Sequence, residues 1–163
     1  MNSGAGEVAP TVRGRLAVAG LELPAPLATK GRYAAVRHLG TQAWVAGHTG
    51  RTADGPLHVG VVGDDVSVEQ AREEARSAAL NVLAALDGAG LLECVSGVVL
   101  LRGLVRARTD FTDHPLVVDA ASEVMLAAFG DEVGTHARTA LGVASLPGGA
   151  PVELEVVVEV AAR

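Results

Sequence analysis

Cysteine, aromatic residues and long apolar runs are all scarce in this chain, and each scarcity removes a class of protein. Cys94 is the only cysteine, so no intrachain disulfide can form and a reducing, cytoplasmic setting is the expectation. The aromatic side chains are Tyr33, Trp44, Phe111 and Phe129. So few rings give no platform on which single-stranded bases could stack. Thirteen basic residues face nineteen acidic ones, for a formal net charge of −6, and the cations are scattered along the chain. The positive stripe that drives phosphate binding is therefore missing, and no nucleic acid is expected as a partner. The longest apolar stretch near the start, Leu16 to Leu21, stops at Glu22. It is too short for a signal-peptide core or a bilayer span, so no membrane association is expected.

Several catalytic signatures are absent as well. His38, His48, His58, His114 and His136 show no metal-ligand spacing, and a single cysteine cannot make a Cys-x-x-Cys pair. Gly47-His48-Thr49-Gly50 has neither the spacing nor the helix start of a phosphate or dinucleotide loop. No metal and no cofactor are expected. Ser96 and Cys94 lie in a run that reads as buried strand, which favours packing over nucleophilic chemistry.

What the chain does contain is small apolar side chains. Apolar residues make up 49% of its 163 positions, mostly alanine and valine, enough for one globular domain whose elements pack closely. Residues 1–12 read as a flexible lead-in and 13–163 as a single domain. Tyr33 to Arg37 and Gln42 to Ala46 read as short strands around a turn at Gly40. Ser67 and Gln70 form a capping-box pattern, and Val68, Ala71, Ala75, Ala78, Val82, Leu86 and Ala89 follow at helical spacing until Gly88 to Gly90. Cys94 to Val105 is apolar without clean alternation, the mark of a strand buried on both faces. A second helix starts after Asp113, with Pro115 in its first turn, and stops at Gly130. Arg138 to Ala144 and Val152 to Val160 read as the last two strands. In the last, Val152, Leu154, Val156, Val158 and Val160 share one face while Glu153, Glu155 and Glu159 share the other.

This order predicts an α+β fold with a single sheet and two helices on one face. A central strand apolar on both sides leaves the second face in need of cover, and another copy of the same chain is the simplest cover.

The segment Ala137-Arg138-Thr139-Ala140-Leu141-Gly142-Val143-Ala144-Ser145-Leu146-Pro147, followed by Val152-Glu153, resembles the signature of the Rid, or YjgF-like, reactive-intermediate deaminase family. In that signature an arginine opens the penultimate strand, Leu-Pro ends it, and a glutamate follows the arginine by fifteen residues, as Glu153 follows Arg138. Leu23-Pro24-Ala25-Pro26, Tyr33, Val45-Ala46-Gly47, Gly60 to Glu69, Asn81, Phe129-Gly130 and Gly134-Thr135-His136 extend the resemblance, which is to the longer branch of the family.

The resemblance implies a chorismate-mutase-like fold, a homotrimer with a ligand cleft at each subunit interface, and hydrolysis of small 2-imino or enamine acids to 2-keto acids and ammonia. It assigns Arg138 to the substrate carboxylate, Glu153 to positioning a water, and Tyr33 with backbone near Gly47 and Ala140 to completing the pocket. His48 stands where the short branch commonly has glutamine. Asp119 falls near an asparagine of the short branch, and a carboxylate there disfavours an anionic group nearby. A non-catalytic trimer binding a small carboxylate, or acting on a partner protein, is the alternative that the same residues allow. The family's frequent ribonuclease name sits poorly with the acidic charge.

Overall fold

The computed structural model describes residues 10–161. Three α-helices and five strands run in the order α1 (Val12–Val18), β1 (Val36–Leu39), β2 (Gln42–Thr49), α2 (Val68–Gly88), β3 (Val95–Arg106), α3 (His114–Gly134), β4 (Ala137–Val143) and β5 (Val152–Val160). The strands form one sheet in the order β1-β2-β5-β3-β4, antiparallel except for the β3/β4 pair, which α3 connects as a parallel crossover.

Local sequence explains most of these elements. Gly40, with φ of 62°, takes the first place of the two-residue turn between β1 and β2, the left-handed conformation that suits strand twist there. At the start of α2 the Gln70 N–H donates to the Ser67 hydroxyl at 3.2 Å, and the Ser67 N–H donates to the Gln70 side chain at 2.9 Å. These bonds satisfy two of the amides a helix start leaves unpaired. Gly130, with φ of 76°, interrupts α3 where the sequence predicts its end, and one further turn runs on to Gly134.

Both long helices cover one face of the sheet, as expected. On that side Leu101, Val105, Val152, Leu154, Val156 and Val158 are buried beneath alanines and valines of α2 and α3. Gly103 allows the closest approach: a Cβ there would lie 2.5 Å from Val118 of α3.

Three expectations are corrected. The first concerns the lead-in: residues 1–9 lie outside the described ones, but Thr11 caps α1 and Val12 and Leu16 are buried, so residues 11 and 12 belong to a helix that the sequence does not announce. Side-chain reach from distant positions holds it, with Glu93 accepting the Val12 N–H at 3.1 Å and Arg15 donating to the Ala128 carbonyl at 2.6 Å. The second is β1, which starts at Val36, leaving Tyr33 outside the sheet. The third is β3, which in one chain is buried on the helix side only; Val99 is 42% exposed and Arg102 faces outward. Trp44 and Leu141 are also about half exposed, and the ladder places them on this open side with Leu100 and Leu104.

Candidate functional site

Two separate clusters hold the candidate residues. The first is a cleft of about 170 Å³ beside the end of β2 and the start of β5, well below the volume of a drug-sized ligand site. Tyr33, Gly47 and Glu153 line it, together with Lys30, Arg51 and Pro147.

The position of Glu153 is set by Gly47. The β2/β5 register slips between Val45 and His48, a bulge that contains Gly47. A Cβ on Gly47 would overlap the Glu153 Oε1 and sit 2.9 Å from its Cδ, so only glycine leaves room for the carboxylate. Burial there raises the pKa of Glu153 above the ordinary glutamate value, and the neighbouring charge of Glu155 raises it further. The result is a half-buried carboxylate with increased proton affinity, the property a general base working near neutral pH requires.

The loop bordering this cleft is fastened from beneath by one face of α2. Glu74, fully buried, accepts the Gly50 N–H at 2.8 Å and the His58 N–H at 3.2 Å. Asn81 donates to the carbonyls of Thr49 and Arg51, both at 2.9 Å, and Ser77 donates to that of Gly50, also at 2.9 Å. Glu74, Ser77 and Asn81 are spaced by three and four residues, so they project from one side of the helix. Desolvation dominates at Glu74 and raises its pKa despite the two backbone donors. His48 is pinned at 2.7 Å to the Ala46 carbonyl; because a carbonyl only accepts, its Nδ1 carries the hydrogen. Burial lowers the pKa of His48, and Arg51 lowers it further against the opposing pull of that carbonyl.

The second cluster lies at the β4 edge. Arg138 is a ladder partner of the core residue Leu101, so it points to the helix side, where Asp119 of α3 receives it at 2.5 Å. Its Nη1 also donates to the Ser122 hydroxyl at 3.2 Å. Ser122 is 3.0 Å from His136 Nε2, and His136 Nδ1 is 2.6 Å from the Gly134 carbonyl. The carbonyl requires a hydrogen on Nδ1, which leaves Nε2 as acceptor in the neutral ring, and the serine O–H donates to it. Ala140 follows two residues after Arg138 on the same side of β4, partly buried against the core.

Within one chain these clusters do not meet. Glu153 is a ladder partner of Leu104 on the open side, whereas Arg138 is a partner of Leu101 on the helix side, with β3 between them. Three residues along and two strands across amount to roughly 14 Å between their backbones, on opposite faces. Arg138 and Asp119 are brought together, and so are Tyr33, Gly47 and Glu153; the two sets are not. Sequence reading missed Lys30, Arg51, Ser122 and His136. Ser122 falls one turn after Asp119, a spacing that puts both on the face of α3 turned to β4, whereas nothing in the sequence marks Lys30 or Arg51.

Among the described residues no group of three or more His, Cys, Asp or Glu side chains is placed to hold a metal ion, and no helix is long and apolar enough to cross a membrane.

Residues 13–155 match a family described as "YjgF/chorismate mutase-like, putative endoribonuclease". Protein TCP17 of Trypanosoma cruzi is 38% identical over 141 residues, which span 86% of this chain and 88% of that protein. A crystal structure from Agrobacterium tumefaciens, of a protein with unknown function, shares 33% identity with a TM-score of 0.82 and covers 92% of each chain. A structure from Shewanella oneidensis, named for an endoribonuclease, shares 30% identity with a TM-score of 0.86 over 92% of this chain and 99% of that one.

Proposed function

Because the chain belongs to the YjgF/chorismate mutase-like family, we propose that it hydrolyses small 2-imino or enamine acids to 2-keto acids and ammonia, using Arg138 and Glu153. The observation that carries this reading is the seat of Glu153: a half-buried carboxylate on a glycine bulge, its proton affinity raised, facing a cleft of small-molecule size. A protonated imine is already electrophilic, so its hydrolysis needs a placed water and a proton acceptor more than a metal or a covalent nucleophile. Glu153 takes a proton from the water as its oxygen bonds to the imine carbon and the C=N π pair moves to nitrogen. The protonated Glu153 then delivers that proton to the nitrogen, which leaves as ammonia while the hydroxyl loses its proton to solvent.

Arg138 holds the carboxylate. Asp119 and Ser122 occupy Nη1, and no other protein group among the described residues takes Nε or Nη2, the edge that offers a carboxylate two parallel hydrogen bonds. Since Arg138 and Glu153 lie on opposite faces of one sheet, we place the working cleft between copies, with Arg138 of one facing Glu153 of the next in a homotrimer. The exposed Trp44 and Leu141, together with the half-buried Arg102–Glu155 pair at 2.5 Å, form the face that such an assembly covers. Working in the cytoplasm, the enzyme clears imines released by other reactions.

The ribonuclease named among its relatives finds little support here. The net charge of −6 offers no track for an RNA backbone. Calorimetry of pyruvate or 2-oxobutyrate, as product analogues, tests the anchor. We expect weak binding that Arg138→Lys weakens at least tenfold with the oligomeric state unchanged, because lysine keeps the charge and loses the fork. Equal binding by both proteins would refute the assignment.

A further inference from the structure

The guanidinium of Arg138 is matched by a carboxylate of its own chain. Asp119 Oδ1 takes Nη1 at 2.5 Å, and Ser122 takes the same nitrogen at 3.2 Å while its own hydrogen is committed to His136. Arg138 is thus held by two acceptors from one face of α3, and swinging away would leave the Asp119 carboxylate without its cation. The pair carries no net charge, its guanidinium side chain is only 25% exposed, and Asp119 is 48% exposed with no partner on Oδ2 among the described residues. A ligand that uses the open edge of Arg138 therefore meets a guanidinium whose neighbouring nitrogen already carries a half-exposed carboxylate.

We propose that Asp119 makes this anchor selective for zwitterions: ligands whose carboxylate is flanked by a cationic nitrogen, as in a 2-iminium or 2-amino acid, in preference to the bare anion of a 2-keto acid. The inference rests on Arg138 being the carboxylate anchor and goes beyond it by assigning the charge pattern of the ligand. A plain anion gains the guanidinium and suffers the repulsion of Asp119, whereas a nitrogen bearing N–H⁺ beside the carboxylate turns that repulsion into attraction. The consequence for turnover is directional. While nitrogen is bonded, the ligand matches both charges. Once ammonia has left, the keto oxygen presents lone pairs where the N–H donors were, and Asp119 favours release of the product.

The test compares two probes of nearly equal size, L-alanine and pyruvate, titrated into the full chain as wild type, Asp119→Asn and Arg138→Ala. Asparagine keeps the shape of the side chain and removes its charge. The wild type is expected to bind L-alanine more tightly than pyruvate. Asp119→Asn is expected to shift the ratio of the two affinities at least fivefold toward pyruvate, chiefly by tightening pyruvate, and Arg138→Ala to lose both. A smaller shift in Asp119→Asn, with binding still lost in Arg138→Ala, overturns the selectivity and leaves the anchor standing. Unchanged binding in Arg138→Ala, or no binding of either probe by the wild type, overturns the anchor and the selectivity with it. Should Asp119→Asn alter assembly or folding, Asp119→Ser is read by the same fivefold criterion.

Discussion

Replacing Gly47 by alanine isolates the seat of Glu153 from the rest of the fold. Gly47 has an ordinary negative φ, so alanine meets no backbone penalty, and a strand glycine exchanged for alanine gains about 0.5–1 kcal/mol in chain entropy. The added methyl, however, falls on the Glu153 carboxylate and lies within 3.3 Å of its Cγ. The carboxylate is the flexible end of its side chain and can rotate out of the cleft, so the net change in folding stability should be small, within about 1 kcal/mol, at the low end of overpacking costs. Activity should respond very differently. A positioned proton acceptor contributes roughly 10²–10⁴-fold, so Gly47→Ala should lose about 100-fold or more in kcat/KM for imine hydrolysis, close to the loss in Glu153→Gln, with the melting temperature nearly unmoved. The assay follows ammonia from an imino acid generated in place by an amino-acid oxidase, with thermal melts run alongside. If Gly47→Ala keeps activity within threefold of wild type while Glu153→Gln is inactive, the carboxylate does not work from its position over Gly47 and this account of the cleft is wrong.

Because burial and Glu155 raise the Glu153 pKa, and the base is the deprotonated form, kcat/KM should fall as pH drops through a value above the ordinary glutamate range; a limb at the ordinary value would count against the half-buried seat. Burial also raises the pKa of Glu74, so the folded chain holds that proton more tightly than the unfolded one. Its stabilising contribution is complete below the unfolded pKa and is lost as pH rises through the folded one. Wild type should lose melting temperature against Glu74→Gln as pH rises above the ordinary glutamate range, and parallel curves would refute this. Gly103→Ala drives a methyl into Val118 and should cost about 1–3 kcal/mol by denaturant titration; a neutral result would mean that β3 and α3 are less tightly packed than the structure has them. Trp44→Glu should dissociate the assembly in sedimentation equilibrium, and an unaltered oligomer would place the interface elsewhere.

The parts of the fold that sequence conveys are those fixed by local chemistry. The capping box at Ser67, the helical spacing up to Leu86 and the alternation of valine and glutamate in β5 each follow from contacts within a few residues. β3 is legible only in part, and the reason is physical. Its ladder slips between Val95 and Gly97 and again between Val98 and Leu100, so the buried side passes from an even position, Val98, to an odd one, Leu101. Two bulges turn a one-sided strand into a run that reads as apolar on both faces. α1 escapes because seven residues containing Gly14 carry no helical pattern of their own, and its support comes from Glu93 and Ala128, far away in sequence. The site divides in the same way. Arg138 and Glu153 stand out through their spacing and resemblance, but spacing along a chain says nothing about which face of a sheet each occupies. The partnership of Arg138 with Asp119, Ser122 and His136 depends on how α3 lies against β4, which no local pattern encodes.

Supplying a freshly generated 2-imino acid and measuring ammonia and 2-keto acid release above the uncatalysed rate tests the deaminase assignment itself. The wild type should release both stoichiometrically, Glu153→Gln and Arg138→Ala should each lose at least a hundredfold, and mixing equal amounts of the two single variants under conditions that let subunits exchange should restore partial activity, up to the roughly one quarter of clefts that then pair an intact Arg138 with an intact Glu153. Release by the wild type no faster than in buffer, or full activity in either variant alone, would contradict it.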